Sequence, residues 1–165
     1  MVRYSRNAEK FGVYLKEITK YVCKIYAIFA AVGLAVAVYG FVFGCITKEY
    51  EAFTLGGSGA VVTIICAVII SEKYLRIKNR LKQSFKNADS QGNLNFSLKF
   101  VDETLLITCL NTGEVNKINK RDIKKVSYAN NTIFIRAGVT GLVTLSNDKK
   151  VRDLLESNNM LPDKK

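Results

Sequence analysis

Residues 41–57 read FVFGCITKEYEAFTLGG, and Lys48, Glu49 and Glu51 are the only formally charged side chains between Ile25 and Ser71. Toward the amino terminus an uncharged run of 23 residues reaches back to Ile25, and toward the carboxyl terminus one of 20 residues extends from Ala52 to Ser71. A helix rises about 1.5 Å per residue, so roughly 20 apolar residues match a hydrocarbon layer of about 30 Å. Both runs meet that requirement. Helices that are apolar on every side need a large protein to bury them, and 165 residues are too few. The spacing therefore predicts a transmembrane hairpin over 25–71, with spans at 25–47 and 52–71 and Lys48–Glu51 as the tight turn between them.

Ala35-Val36-Ala37 has the small-x-small form of a cleavage site, but 24 residues precede the apolar run, which continues unbroken to Ile46. Those features argue against a removable signal. The flanks set the orientation. Residues 1–24 carry six bases against two acids, and residues 72–86 carry Lys73, Arg76, Lys78, Arg80, Lys82 and Lys86 against Glu72 alone. Lys and Arg near helix ends stay on the cytoplasmic side, so the expectation is a cell-membrane protein with two spans and both termini cytoplasmic. Residues 1–86 hold 13 bases and 5 acids, whereas residues 87–165 hold 12 and 9. Most of the formal charge of +11 is thus expected beside the membrane.

A basic chain also suggests a nucleic-acid binder, and EKYLRIKNRLKQSFK (72–86) interleaves aromatic and basic residues. Tyr74, Ile77, Leu81 and Phe85 fall on one helical stripe, however. The segment reads as a basic juxtamembrane helix facing the anionic inner leaflet, and no nucleic acid is expected. Phe11, Tyr14, Leu15, Ile18, Tyr21, Val22 and Ile25 recur at three and four, which predicts an amphipathic helix over 1–24. Inside the spans, Ala30, Gly33, Ala37, Gly40 and Gly44 step along one face, and Gly56, Ala60, Thr63 and Ala67 along another. Small faces let helix backbones approach closely in lipid, so these seams are the candidate packing surfaces, within the hairpin or between copies. Neither span carries an acid or a base, which disfavours a proton or ion path.

Beyond the polar stretch NADSQGN (87–93) the text becomes short β segments: LNFSLKF, TLLITCL, DIKKVSYA, TIFIRA and LVTLS. Asp102-Glu103, Asn111-Thr112-Gly113 and Asn130-Asn131 are turn signals, and Ser146 or Asn147 is placed to cap a last helix before Pro162. The fold class that results is an α+β membrane protein, a two-helix hairpin followed over 92–160 by a small antiparallel β domain with a C-terminal helix.

Two spans with a tiny turn, a basic helix, then FSLKFVDETL, INKRDIKKV and NNTIFIR before a terminal helix resemble the YcxB-like family of small bacterial membrane proteins. The resemblance implies a pleckstrin-homology-like (PH-like) carboxyl-terminal domain, and through that fold a binding role toward lipid headgroups or protein. It also implies a β segment ahead of the first span, where the periodicity of residues 1–24 reads as helix.

Catalytic chemistry finds little support. There is no histidine, and Cys23, Cys45, Cys66 and Cys109 have no CxxC spacing, so neither a metal site nor a cofactor is expected. LGGSGA (55–60) lacks the lysine of a phosphate-binding loop. The candidate contacts are instead the six bases of 72–86 and a second cluster, Lys117, Lys120, Arg121, Lys124 and Lys125. These suit a non-enzymatic module that binds a partner protein or lipid headgroups. The alternative is an assembly subunit whose hairpin carries helix–helix oligomerisation.

Overall fold

Val2, Tyr4 and Arg6 alternate with Arg3 and Ser5, and that period of two decides the first element. In the computed structural model, which describes residues 1–138 and 141–160, Val2–Asn7 is strand β1. It is followed by α1 (Phe11–Thr47), α2 (Tyr50–Phe85), β2 (Asn93–Val101), β3 (Thr104–Cys109), β4 (Val115–Asn119), β5 (Ile123–Tyr128), β6 (Thr132–Ala137), β7 (Gly141–Ser146) and α3 (Lys149–Ser157). The helix expected over 1–24 is therefore corrected at its start: it begins at Phe11 and continues without a break into the first apolar run. Arg6 hid the alternation, because a cation occupies an inward position. It is only 7% exposed, and its guanidinium lies 5.5 Å from the Tyr14 ring centroid and 5.9 Å from that of Phe96. Cation–π attraction on two sides stabilises a charge that burial would otherwise penalise.

Two compact units result, one of Met1–Glu17 with the chain from Arg80 onward, the other of Ile18–Asn79. The β domain expected over 92–160 is thus discontinuous in sequence. Its first sheet has the order β1-β2-β3-β4 and its second the order β5-β6-β7, and every pairing is antiparallel. β1 runs along β2 from Val2 opposite Leu98 to Asn7 opposite Asn93. The core gathers Tyr4, Leu98, Leu105, Ile118, Ile133, Ile135 and Leu145 from the strands with Val151 and Leu155 of α3. β6, the central strand of its sheet, is buried on both faces over most of its length, whereas β4 contributes Ile118 alone. That single buried position is why VNKIN did not read as a strand. α3 starts after Asp148, whose side chain makes no capping bond, and Ser146 ends β7 instead of capping the helix.

The β5 text sets a geometric problem. Ile123 and Val126 both turn toward the core, yet positions three apart lie on opposite faces of a regular strand. The register solves it by slipping one residue between Ile123 and Lys125: Ile123 faces Ala137 and Lys125 faces Arg136. Lys124 is the extra residue of this β-bulge, so two consecutive lysines stay outside the core.

The amino-terminal turns of α1 belong to this sheet unit. The Glu17 carboxylate accepts bonds from the Asn131 backbone N–H at 3.0 Å and from its Nδ2 at 2.9 Å, which clasps the β5–β6 turn. Phe11 meets Phe85 edge-on with ring centroids 6.0 Å apart, and Leu81 is buried. The carboxyl-terminal end of α2 is thus packed into the sheet unit; the basic segment expected at 72–86 is a continuation of one unbroken helix from Tyr50 to Phe85.

Tyr4 makes the sheet unit sensitive to alkali. Its burial pushes the hydroxyl up from 10.0 to about 12, against the opposing pull of Arg6. A folded-state pKa above the unfolded one means stability that is complete below pH 10 and is lost as pH rises toward 12. The two-unit shift corresponds to about 2 to 3 kcal/mol. Thermal melts of wild type and Tyr4→Phe should diverge across that range, because only the wild type must bury or protonate an ionising hydroxyl at this position; parallel curves would reject the assignment. Tyr128, whose hydroxyl is raised by its own partial burial, leaves a residual slope in both proteins.

In the helical unit α1 and α2 are joined by Lys48 and Glu49, with Lys48 at φ +59° and its N–H bonded to the Gly44 carbonyl at 2.8 Å. The turn is two residues shorter than the four expected, since Tyr50 and Glu51 already lie in α2. Gly33, Ala37, Gly40 and Gly44 form the buried seam of α1. A Cβ on Gly40 would fall 2.6 Å from the Gly56 Cα, and one on Gly44 would fall 3.1 Å from the Phe53 ring. The facing seam of α2 keeps the expected Gly56 and Thr63 but is shifted by one residue at two places, to Gly59 from Ala60 and to Cys66 from Ala67, which is exposed. It passes through Ala52, Gly56, Gly59, Thr63 and Cys66, whereas Ala60 is half-buried beside it. Gly59 was hidden by equally small neighbours; a Cβ there would meet the Gly33 carbonyl oxygen and the Ala37 nitrogen, both at 2.6 Å.

Candidate functional site

Both long helices are long and apolar enough to cross a membrane, and only 17% of the most apolar stretch of each is buried. Leu34, Val38, Ile64 and Val68 are among the side chains left exposed. The first group of candidate contacts lies at the polar end of α2. Arg76, Lys78, Arg80, Lys82 and Lys86 are exposed, whereas Lys73 is half-buried with its Nζ 5.3 Å from the Tyr26 ring centroid. Arg76 is bonded to Glu72 one turn earlier, an exposed pair contributing about 0.3–0.5 kcal/mol. The six bases are therefore not equivalent: Lys73 and Arg76 have partners within the helical unit.

The second group also divides. Lys117 is exposed on β4, and Lys120 and Arg121 stand in a 3-10 turn, Lys120–Asp122, that leads into β5. The turn is capped by Asn119, whose Oδ1 accepts the Arg121 backbone N–H at 3.0 Å. Arg121 donates through Nε to Glu103 of the β2–β3 turn at 3.0 Å, which ties it to the neighbouring hairpin. Lys120, Lys124 and Lys125, with Ile123, Asn159 and Met160, line a shallow cleft of ≈190 Å³. The five-base cluster thus reduces to three residues at the cleft, and Lys117 does not line it. Arg136 does not line the cleft, but the register sets it directly opposite Lys125 and its side chain is exposed. Counting back from the Asn130-Asn131 turn would have found it.

Comparison with protein-family models, with curated proteins and with solved structures finds no match. The chemistry must therefore be read from the residues alone. Among the described residues, no three His, Cys, Asp or Glu side chains gather in a way that would hold a metal ion. The four cysteines are free thiols: Cys23 and Cys66 are buried, Cys45 is exposed and Cys109 is half-buried. What the arrangement offers is positive charge in two places, along the end of α2 and at the bulged start of β5.

Proposed function

We propose that the chain is a membrane-anchored cytoplasmic module whose PH-like sheet unit binds lipid headgroups or a partner protein, without catalysis. The observation that carries this reading is the contrast between the units. α1 and α2 leave large apolar side chains exposed over span-length stretches, while the sheet unit encloses a core of its own. Antiparallel sheets closed by a terminal helix support the likeness to the YcxB-like family. The exposed bases of α2 support contact with an anionic inner leaflet, each worth about 1 kcal/mol near such a surface.

Oligomerisation through the small-residue seams loses its main support. Gly33, Gly40 and Gly44 of α1 and Gly56 of α2 are spent on each other within one hairpin, so they offer no close-approach surface to a second copy. The topology is tested with reporters fused within Lys48–Glu49 and at the carboxyl terminus. They should localise to opposite sides of the cell membrane, with the carboxyl-terminal one in the cytoplasm; a carboxyl terminus on the far side would reject the reading.

A further inference from the structure

We infer that β1 is an electrostatically closed strap: the Asp148 carboxylate at the start of α3 is the counterion of the buried Arg6 guanidinium, and this pair governs how readily β1 leaves the β2 edge. The device is independent of the ligand reading above. The first observation is a cation without an anion. Arg6 is 7% exposed, and its Nε and Nη2 are enclosed without a hydrogen bond. The Tyr14 and Phe96 ring faces attract the charge but give the in-plane N–H groups no acceptor. The second observation is an acid without its expected bond. Asp148 is the N-cap of α3 with φ −84° and ψ 148°, the extended setting in which an aspartate ordinarily accepts N–H bonds from the first helical turn. Its side chain makes none.

Acid and cation share one neighbourhood. α3 packs against β1. Burial raises the hydroxyls of Tyr4 and Tyr14, and on both of them Arg6 pulls down while Asp148 pushes up. Glu17 acts on Tyr14 as well, but its Oε1 is held by the backbone and side chain of Asn131. Asp148 is therefore the acid matched to Arg6, and because α3 does not engage its carboxylate, pairing costs the helix no cap. The consequence lies at the sheet edge. β1 pairs with β2 from Val2 opposite Leu98 to Asn7 opposite Asn93 and ends the strand order on that side. When β1 lifts, the backbone groups of β2 lose their partners and become a template for an incoming strand. A buried charge is the costliest group in β1, so the counterion that compensates it sets how often the strap opens.

The test is amide hydrogen exchange of the full chain in a mild detergent, read by mass spectrometry at β1, β3 and α3. Asp148→Asn and Asp148→Ser remove the charge but keep a good capping residue, whereas Asp148→Glu keeps the charge. Asn and Ser should speed exchange at β1 roughly tenfold, the effect of losing one charge-assisted contact, and leave β3 and α3 unchanged. Glu should stay close to wild type. In an Arg6→Met background, which removes the cation and keeps an unbranched side chain, Asp148→Asn should no longer affect β1. The comparison of Asn and Ser with Glu decides the matter even if Arg6→Met fails to fold, because Asp148 is exposed and its variants leave the core intact. Unchanged exchange at β1 in Asp148→Asn, or the same acceleration with and without Arg6, overturns the inference. Acceleration at α3 instead of β1 makes Asp148 an ordinary cap and overturns it too. So does an Arg6-dependent acceleration in Glu17→Gln that Asp148→Asn lacks, since Glu17 is then the counterion.

Discussion

Leucine in place of Gly40 is expected to force α1 and α2 apart. Even the first added carbon would lie 2.6 Å from the Gly56 Cα and 2.8 Å from the Ala52 carbonyl oxygen, and it would overlap the Gly56 backbone nitrogen. These are backbone atoms on a facing helix, so no side-chain rotation relieves the clash. Overpacking of this kind costs about 1–3 kcal/mol where the surroundings can shift, and a four-carbon side chain in a backbone contact belongs at the upper end. The control is Val38→Leu on the same helix, whose parent side chain is 56% exposed. Disulfide cross-linking between cysteines introduced across the seam, in mild detergent, should fail for Gly40→Leu and persist for Val38→Leu. Equal cross-linking would show that the helices do not meet at Gly40. Gly59→Leu should behave like Gly40→Leu, whereas Ala60→Leu should be milder, which distinguishes the observed seam from the one-residue shift that periodicity suggested.

A fragment of residues 88–165 is expected to lack a cooperative melt. Without β1 the sheet loses its pairing from Val2 to Asn7, exposes the β2 edge and leaves the space of Tyr4, a core side chain only 6% exposed. Removing one large core aromatic costs about 3–5 kcal/mol, a large part of the 5–15 kcal/mol that holds a domain together. The fragment also lacks Glu17, whose carboxylate holds Asn131, and Leu81, buried on the last turns of α2. Residues 1–17 joined through a flexible linker to residues 80–165 should recover β-type circular dichroism and a cooperative transition. A cooperative melt from the short fragment would mean that the amino-terminal strand is dispensable, and would remove the case for a discontinuous unit.

Much of the architecture was legible because it rests on local chemistry. Uncharged length marks both helices, since every residue of a span must tolerate the same apolar surroundings. Period-two alternation marks β2, and the turn residues at Asp102-Glu103 and Asn130-Asn131 fall where the strands reverse. The seam of α1 was readable for a similar reason, as Gly33, Ala37, Gly40 and Gly44 contrast with large neighbours. On α2 the contrast fails, because Gly56, Gly57, Ser58, Gly59 and Ala60 are all small. Which of them faces α1 depends on helix rotation, a property of the pair. The basic cluster was found by counting charges, but its division was not: Arg121 is withdrawn by Glu103, 18 residues earlier, and Arg136 is supplied by a neighbouring strand.

By itself the sequence determined two span-length apolar helices, a tight polar turn, a basic flank and a β-rich remainder, because hydrophobic length and period act within a few turns of chain. The tertiary structure decided that Val2–Asn7 is a strand, that the sheet unit is assembled from both ends of the chain and that Lys124 is turned outward by a bulge. Each of these turns on pairing between distant segments. β1 alternates only if a buried arginine is allowed between Tyr14 and Phe96, and β5 bulges only because Ile123 and Val126 must both reach a core supplied by other strands.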